Sequence, residues 1–166
     1  TCCKCTDLKR IAFADVLKQQ AMNALLSIGI DVDLINDNEA KKEWRGFLVD
    51  LGEWKRNHIS KYYWSDIVKE YIIAHPNEDI CITDCRYLSE AEMIKSLGGK
   101  IIYISRPGTL PANDTEAESI SEIKQSGLID YYINNDGSLD DLKVKMLQII
   151  NGDPNVNVFD DDRPKN

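Results

Sequence analysis

Two apolar runs, Ile80 to Thr83 and Ile101 to Ile104, lack polar alternation and are separated by a helix-like stretch that stops at Gly98-Gly99. A strand with one solvated face alternates, whereas a strand covered on both faces reads as a continuous run, the pattern of a parallel sheet between helix layers. Parallel strands need a long crossover rather than a tight turn. The rest of the second half fits that demand. After a short helix ending at Gly127, Tyr131 to Ile133 offers a further strand. The turn Asn134-Asn135-Asp136-Gly137 then leads to Ser138, which is placed to cap a last helix with Leu139, Leu142, Met146 and Ile149 inward. Ser89 with Glu92 three residues on has capping-box spacing for the helix between the first two strands. The expected class is α/β, a parallel sheet with helices on both faces.

The first half is more helical. Lys9 to Phe13 is a short strand candidate, and Asp15 can cap a helix with Leu17, Ala21, Ala24, Leu25 and Ile28 on one face, ended by Gly29. Residues 30–38 read as polar and irregular. From Glu39, residues Trp44, Phe47, Leu48 and Leu51 recur at helical spacing up to Gly52. A third helix from about Ser65 turns Ile67, Val68, Tyr71 and Ile72 inward and breaks before Pro76.

Length and composition set the limits. A chain of 166 residues with 43% apolar content suffices for one ordinary core. The reading is a thiol-rich segment over 1–8, an α/β domain over 9–152, and an acidic tail over 153–166 that includes Asp160 to Asp162. No stretch approaches the roughly 18 to 20 uncharged apolar residues that span a bilayer, so a cytoplasmic protein with no membrane partner is expected. With 20 basic and 28 acidic residues the formal charge is −8, which repels duplex nucleic acid. The five cysteines read as reduced thiols, and Cys2, Cys3 and Cys5 could bind zinc only with a fourth ligand from elsewhere.

In a parallel open sheet, ligands gather at the carboxyl ends of the strands. Those positions are Asp15 and Lys18 after the first strand, Asp84 and Arg86 after Ile80 to Thr83, and Arg106 after Ile101 to Ser105. Two carboxylates and three cations on one rim would suit an anion that also needs a metal or a positioned hydroxyl. Phosphate fits that description.

At this point the segments resemble a known family. "RIAFADVLK" resembles the "FADPLK" segment of phage-type deoxynucleoside monophosphate kinases, with Val16 at the usual proline. "ITDCRYLSEAEMIKSLGGKIIYISRPG" is similar to their "ITDVRFPNEAEAIKALGGKVIRIxRP", and "IDYYINNDGSLDDLKVKM" to their closing "FDYVIxNNGSLEEL". "EWRGFLVDLGEWKRN", followed by Trp64, is similar to the segment covering the acceptor nucleotide. The likeness spans about residues 9 to 150.

The resemblance implies a P-loop nucleoside monophosphate kinase-like fold, with 38–76 as an acceptor-covering helical region and 106–127 as a lid. It implies ATP and Mg2+ as cofactors, a deoxynucleoside monophosphate as acceptor, and, for a phage or viral chain, the host cytoplasm as location. Homodimerisation is left open. No G-x-x-x-x-G-K-[ST] loop stands in these residues, so the expectation is that the central first strand and its P-loop lie upstream. By the same resemblance, Arg86 and Arg45 hold the acceptor phosphate, Arg106 closes over the transferred group, and Asp84 orients the magnesium shell. Asp15 faces the acceptor phosphate or sugar. Lys18 and Arg56 support binding, Trp54, Tyr63 or Trp64 stacks on the base, and Glu116 or Glu118 reads its edge. Glu116 stands where the family's D-x-H-x-S-E segment has histidine.

Plainer readings stand beside these. Asp84 and Arg86 could form a solvated ion pair, Arg45 and Arg56 a solvated helix face, and Glu116 and Glu118 an exposed acidic loop. The aromatic patch could be core, as Trp44 is expected to be. His58 and His75 have no partner at ligand spacing. A nucleotide-binding decoy without ATP chemistry is the main rival; a haloacid dehalogenase-type phosphatase needs D-x-D, which Asp84-Cys85-Arg86 breaks.

Overall fold

The computed structural model describes residues 8–111 and 114–152. Cys2, Cys3 and Cys5, with their conditional zinc site, and the acidic tail from residue 153 lie outside the described residues. The chain divides into two compact units, residues 9–85 and residues from 86 onward.

The first unit opens with β1 (Lys9–Ile11), followed by α1 (Phe13–Ser27), α2 (Asn38–Glu43), α3 (Arg45–His58) and α4 (Tyr63–Ala74), and closes with β2 (Ile80–Ile82). β1 and β2 are parallel, in register Lys9 with Ile80, Arg10 with Cys81 and Ile11 with Ile82. The four helices form the crossover that a parallel pair requires. α1 packs against α3 and α4. Its Ala21 and Leu25 are buried with Leu34 and Ala40, and Met22, Val32, Trp44, Leu48 and Leu51 close around them. Ala24 and Ile28, expected inward, are exposed, because the packed stripe of α1 is narrower than its apolar composition.

Three boundaries differ from the sequence expectation. α1 begins at Phe13 rather than behind an Asp15 cap, which shortens the preceding strand. The helix from Glu39 is two helices meeting at Trp44, whose ring turns toward the core and lies edge-on to Phe47 at 5.9 Å. α3 continues through Gly52 to His58. Gly52 is a packing position, since a Cβ there would stand 3.4 Å from Leu17 Cδ2. The irregular segment before α2 also contributes to the core. Leu34 is fully buried beside a turn in which the Asp33 carboxylate accepts the Ile35 and Asn36 N–H groups.

The second unit contains α5 (Leu88–Ser96), β3 (Ile102–Ser105), α6 (Asp114–Gln125), β4 (Tyr131–Asn134) and α7 (Leu139–Ile150). β3 and β4 are parallel, Ile102 facing Tyr131 and Ser105 facing Asn134, with α6 as their crossover. Ile133, Met146 and Ile149 form a core with Ile102, Tyr131 and Leu142 around it, while Leu139 is exposed. Ser138 caps α7 as its sequence suggests: its hydroxyl accepts the Asp141 N–H at 3.1 Å, and the Asp141 carboxylate accepts the Ser138 N–H at 2.8 Å. Asp130 ties α5 to the start of β3, accepting from Lys95 Nζ at 2.8 Å and from the Ile101 N–H at 2.7 Å.

The α/β class stands in this form: helices around small parallel pairs. The expected single sheet is replaced, among the described residues, by two separate two-stranded sheets. Strands of three and four residues offer few ladder hydrogen bonds, and each strand here pairs with one neighbour. Ile80, Cys81 and Ile82 are accordingly half-buried rather than covered on both faces. No helix among the described residues is long and apolar enough to cross a membrane.

Gly99 is held by contact. A Cβ there would lie 2.7 Å from Ile94 Cγ2 and 3.0 Å from the Ile94 carbonyl oxygen. Gly99→Ala should therefore cost about 1–3 kcal/mol of stability, read as a lower urea midpoint at unchanged slope. An unchanged midpoint would show that the turn relaxes freely.

Candidate functional site

In the first unit the carboxyl end of β2 meets the start of α1. Asp84, two residues past Ile82, accepts the Phe13 N–H through Oδ1 at 2.9 Å and the Ala14 N–H through Oδ2 at 2.9 Å. These are orphan donors of the first helical turn, and Ala12 at the N-cap has no side chain to receive them. A carboxylate there also opposes the positive end of the helix dipole. Asp84 thus performs the capping that the sequence suggested for Asp15.

Asp15 follows in the same first turn and is gripped from two sides. Its Oδ1 accepts from Lys18 Nζ at 2.8 Å and its Oδ2 from Arg10 Nη1 at 2.7 Å. Partial burial raises its carboxyl pKa, but the hydrogen bonds and charges of Lys18 and Arg10 outweigh that and hold it below the usual value. Two sequence-predicted residues, Asp15 and Lys18, are therefore in direct contact. Arg10 was missed because it belongs to the strand before the motif, although its charge at a strand end was the available signal.

The aromatic candidates separate. Trp64 is 2% exposed, its ring edge-on to Tyr63 and its indole N–H given to the Gly52 carbonyl at 3.2 Å. A ring so enclosed is core, which corrects its assignment as a base-stacking residue. Trp54 is 52% exposed and stacks on His58 at 5.1 Å. The Tyr63 hydroxyl accepts from Lys55 Nζ at 3.2 Å and donates to Gln20 Oε1 at 3.1 Å, and the Lys55 ammonium sits 4.7 Å over the ring. Arg45 is exposed at the first position of α3, and Arg56 is half-buried further along it.

In the second unit the buried carboxylate of Glu90, 3% exposed, accepts the Arg86 N–H at 2.8 Å and the Tyr87 N–H at 3.1 Å. The cap of α5 is thus two residues earlier than the expected Ser89 and Glu92 pair, since Glu90 is the glutamate that reaches back. Arg86 follows from this arrangement. Its main chain is fixed while its side chain, 60% exposed, reaches Glu116 on α6, Nη1 to Oε1 at 3.0 Å. Glu116 lies in a helix rather than an exposed loop, and is 16% exposed. Glu118 is exposed. Arg106 directly follows β3, opens the exposed stretch through Pro111, and has no ion-pair partner among the described residues.

The set that could hold a divalent ion is small. Among the described residues no group of three or more His, Cys, Asp or Glu has metal-binding geometry. Magnesium does not require one, because it keeps several waters and takes one or two carboxylates plus phosphate oxygens. Asp84 fits that limited role. Each of its oxygens accepts one N–H and retains a further acceptor site.

The model of the deoxynucleotide monophosphate kinase family matches residues 1–146. The chain belongs to that family. A protein of Acanthamoeba polyphaga mimivirus, provisionally named a deoxynucleotide monophosphate kinase, is 22% identical over 113 residues, 68% of this chain and 58% of the viral one. The chain thus spans little more than half the length of that relative. No solved structure matches it.

Two outcomes follow for this kinase-family chain. Asp84→Ala should cost about 1–3 kcal/mol by stranding two helical N–H groups, with Asp84→Asn losing less because its amide oxygen still accepts one; equal midpoints for all three proteins would discount the cap. Asp15 has a folded pKa below its ordinary 3.8, so the unfolded chain takes up its proton first as pH falls. Its stabilisation is complete above that value and drains away as pH drops through the folded one. Denaturation midpoints measured between about pH 2 and 6 should show a shallower acid decline for Asp15→Asn; parallel curves would contradict the pairing.

Proposed function

We propose that this chain serves transfer of the ATP γ-phosphoryl group to a deoxynucleoside monophosphate, yielding the diphosphate and ADP. The family match over residues 1–146 carries the reading. Residues of the right chemistry at the carboxyl ends of strands in each unit support it.

Phosphoryl transfer asks the protein mainly to position reactants and neutralise charge. An oxygen of the acceptor phosphate bonds to the γ-phosphorus as the bond to the β-γ bridging oxygen breaks and ADP departs with that electron pair. Arg86 suits the acceptor phosphate, since a guanidinium meets phosphate oxygens in a planar fork. Its main chain is already fixed by Glu90. In the first unit, Lys18, held by Asp15, is a cation of defined position suited to a phosphate oxygen, and exposed Arg45 is another candidate there. Arg106, at the head of an exposed stretch after β3, would close over the transferred group. Mg2+, when bound with ATP, would neutralise its phosphate charge, and Asp84 would hold part of the water shell. Trp54, with its half-exposed ring, is the better base platform; Glu118 is the exposed acidic group left to read a base edge.

Thermal unfolding of the chain with dTMP, dGMP or dCMP added should show a rise that follows ligand concentration. Arg86→Ala should weaken that binding by roughly ten- to hundredfold, as expected for loss of about 1.5–3 kcal/mol of charged hydrogen bonding, at an unchanged ligand-free melting temperature. Absence of a shift with every nucleotide would overturn the reading. Binding without turnover in the presence of ATP would move it to a nucleotide-binding protein.

A further inference from the structure

Resting on the reading of Arg86 as the phosphate-binding cation, we propose that Glu116 is its positioning residue, holding the guanidinium in place before the acceptor phosphate arrives. Arg86 is tied at both ends. Its N–H is given to Glu90 at 2.8 Å and its Nη1 to Glu116 Oε1 at 3.0 Å. The main-chain anchor belongs to α5 and the side-chain anchor to α6, two helices that pack on each other.

The asymmetry of exposure gives the pair its meaning. The Arg86 side chain is 60% exposed, whereas that of Glu116 is 16% exposed. Two mobile exposed partners lose rotamer freedom to meet and gain little. Here the carboxylate is already confined. Glu116 shares a helical face with Ser119 and Ile123, three and seven residues on, and both are buried. A long arginine side chain loses much freedom when it grips a ligand, and an anchor that removes this freedom in advance lowers the cost of binding. Glu116 therefore acts on the nucleotide through Arg86 and does not read the base edge.

The sign of its effect separates positioning from competition. A carboxylate that merely plugs the guanidinium would repel the phosphate, and its removal would tighten binding. An anchor removed would weaken it. Isothermal titration of dTMP, dGMP and dCMP into the chain, into Glu116→Gln, Glu116→Asp and Arg86→Ala, and into Glu116→Gln combined with Arg86→Ala, distinguishes these. The expected result is about tenfold weaker binding for Glu116→Gln, partial recovery in Glu116→Asp, and no further loss when Glu116→Gln is added to Arg86→Ala. Unchanged or tighter binding in Glu116→Gln, or the same loss with and without Arg86, would overturn the role of Glu116 while leaving the kinase reading in place. Failure of the unaltered chain to bind any of the three, or full affinity in Arg86→Ala, would overturn the underlying reading and this inference with it.

Discussion

The Asp84 carboxylate, accepting two consecutive N–H groups at the start of α1, is the constraint on which the first unit's chemistry depends. Asp84 stands 71 and 70 residues from Phe13 and Ala14 in sequence, so this contact closes a long loop and also decides where helix replaces strand. With Phe13 and Ala14 fixed, Asp15 in the first turn and Lys18 three residues on fall on the same side of the helix. Without an acceptor, two polar groups at a half-buried helix end would lack partners, and the helix could begin elsewhere. The placement of the Asp15 cluster thus follows from a carboxylate outside the helix.

The second unit uses the same device. Glu90 holds two successive N–H groups, those of Arg86 and Tyr87, and the helix starts immediately after them. In both units a carboxylate fixes the main chain beside a cationic or acidic side chain of the candidate set. Main-chain anchoring of this kind costs little extra entropy, because the residues at a strand-to-helix junction are already confined.

Much of this was legible in the sequence, and the failures have physical causes. The parallel pairing of β3 with β4 and the Ser138 cap follow from local apolar runs and capping residues. Strand ends drew attention to Asp15, Lys18, Asp84, Arg86 and Arg106, and of these the structure puts Asp15 against Lys18 and Asp84 at the start of α1. The cap of α1 was misassigned because its acceptor is remote, and no local pattern reveals a residue seventy positions away. Trp64 was misread since an aromatic next to Tyr62 and Tyr63 looks the same in sequence whether it faces core or solvent. Two glutamates near Tyr87 satisfy capping spacing, and burial of Glu90 rather than Glu92 decided between them. The extent of the sheet was overread, because buried-looking runs establish strands without establishing how many partners each one pairs with.

A chain with a formal charge of −8 presents no general attraction to a phosphate dianion. Three cations near the strand ends also sit beside acids: Arg10 and Lys18 with Asp15, and Arg86 with Glu116. Under the proposed function, local net charge at these three groups would therefore not be what selects a nucleotide. What the pairs supply instead is order, cationic groups held at defined places by carboxylates that are themselves mostly covered. A phosphate approaching such a group gains directional hydrogen bonds to donors that need not be immobilised first, which favours ligands whose oxygens match the donor geometry over any anion of equal charge. Selectivity by geometry rather than by field is the arrangement an acidic protein needs if it is to bind one class of anion among many.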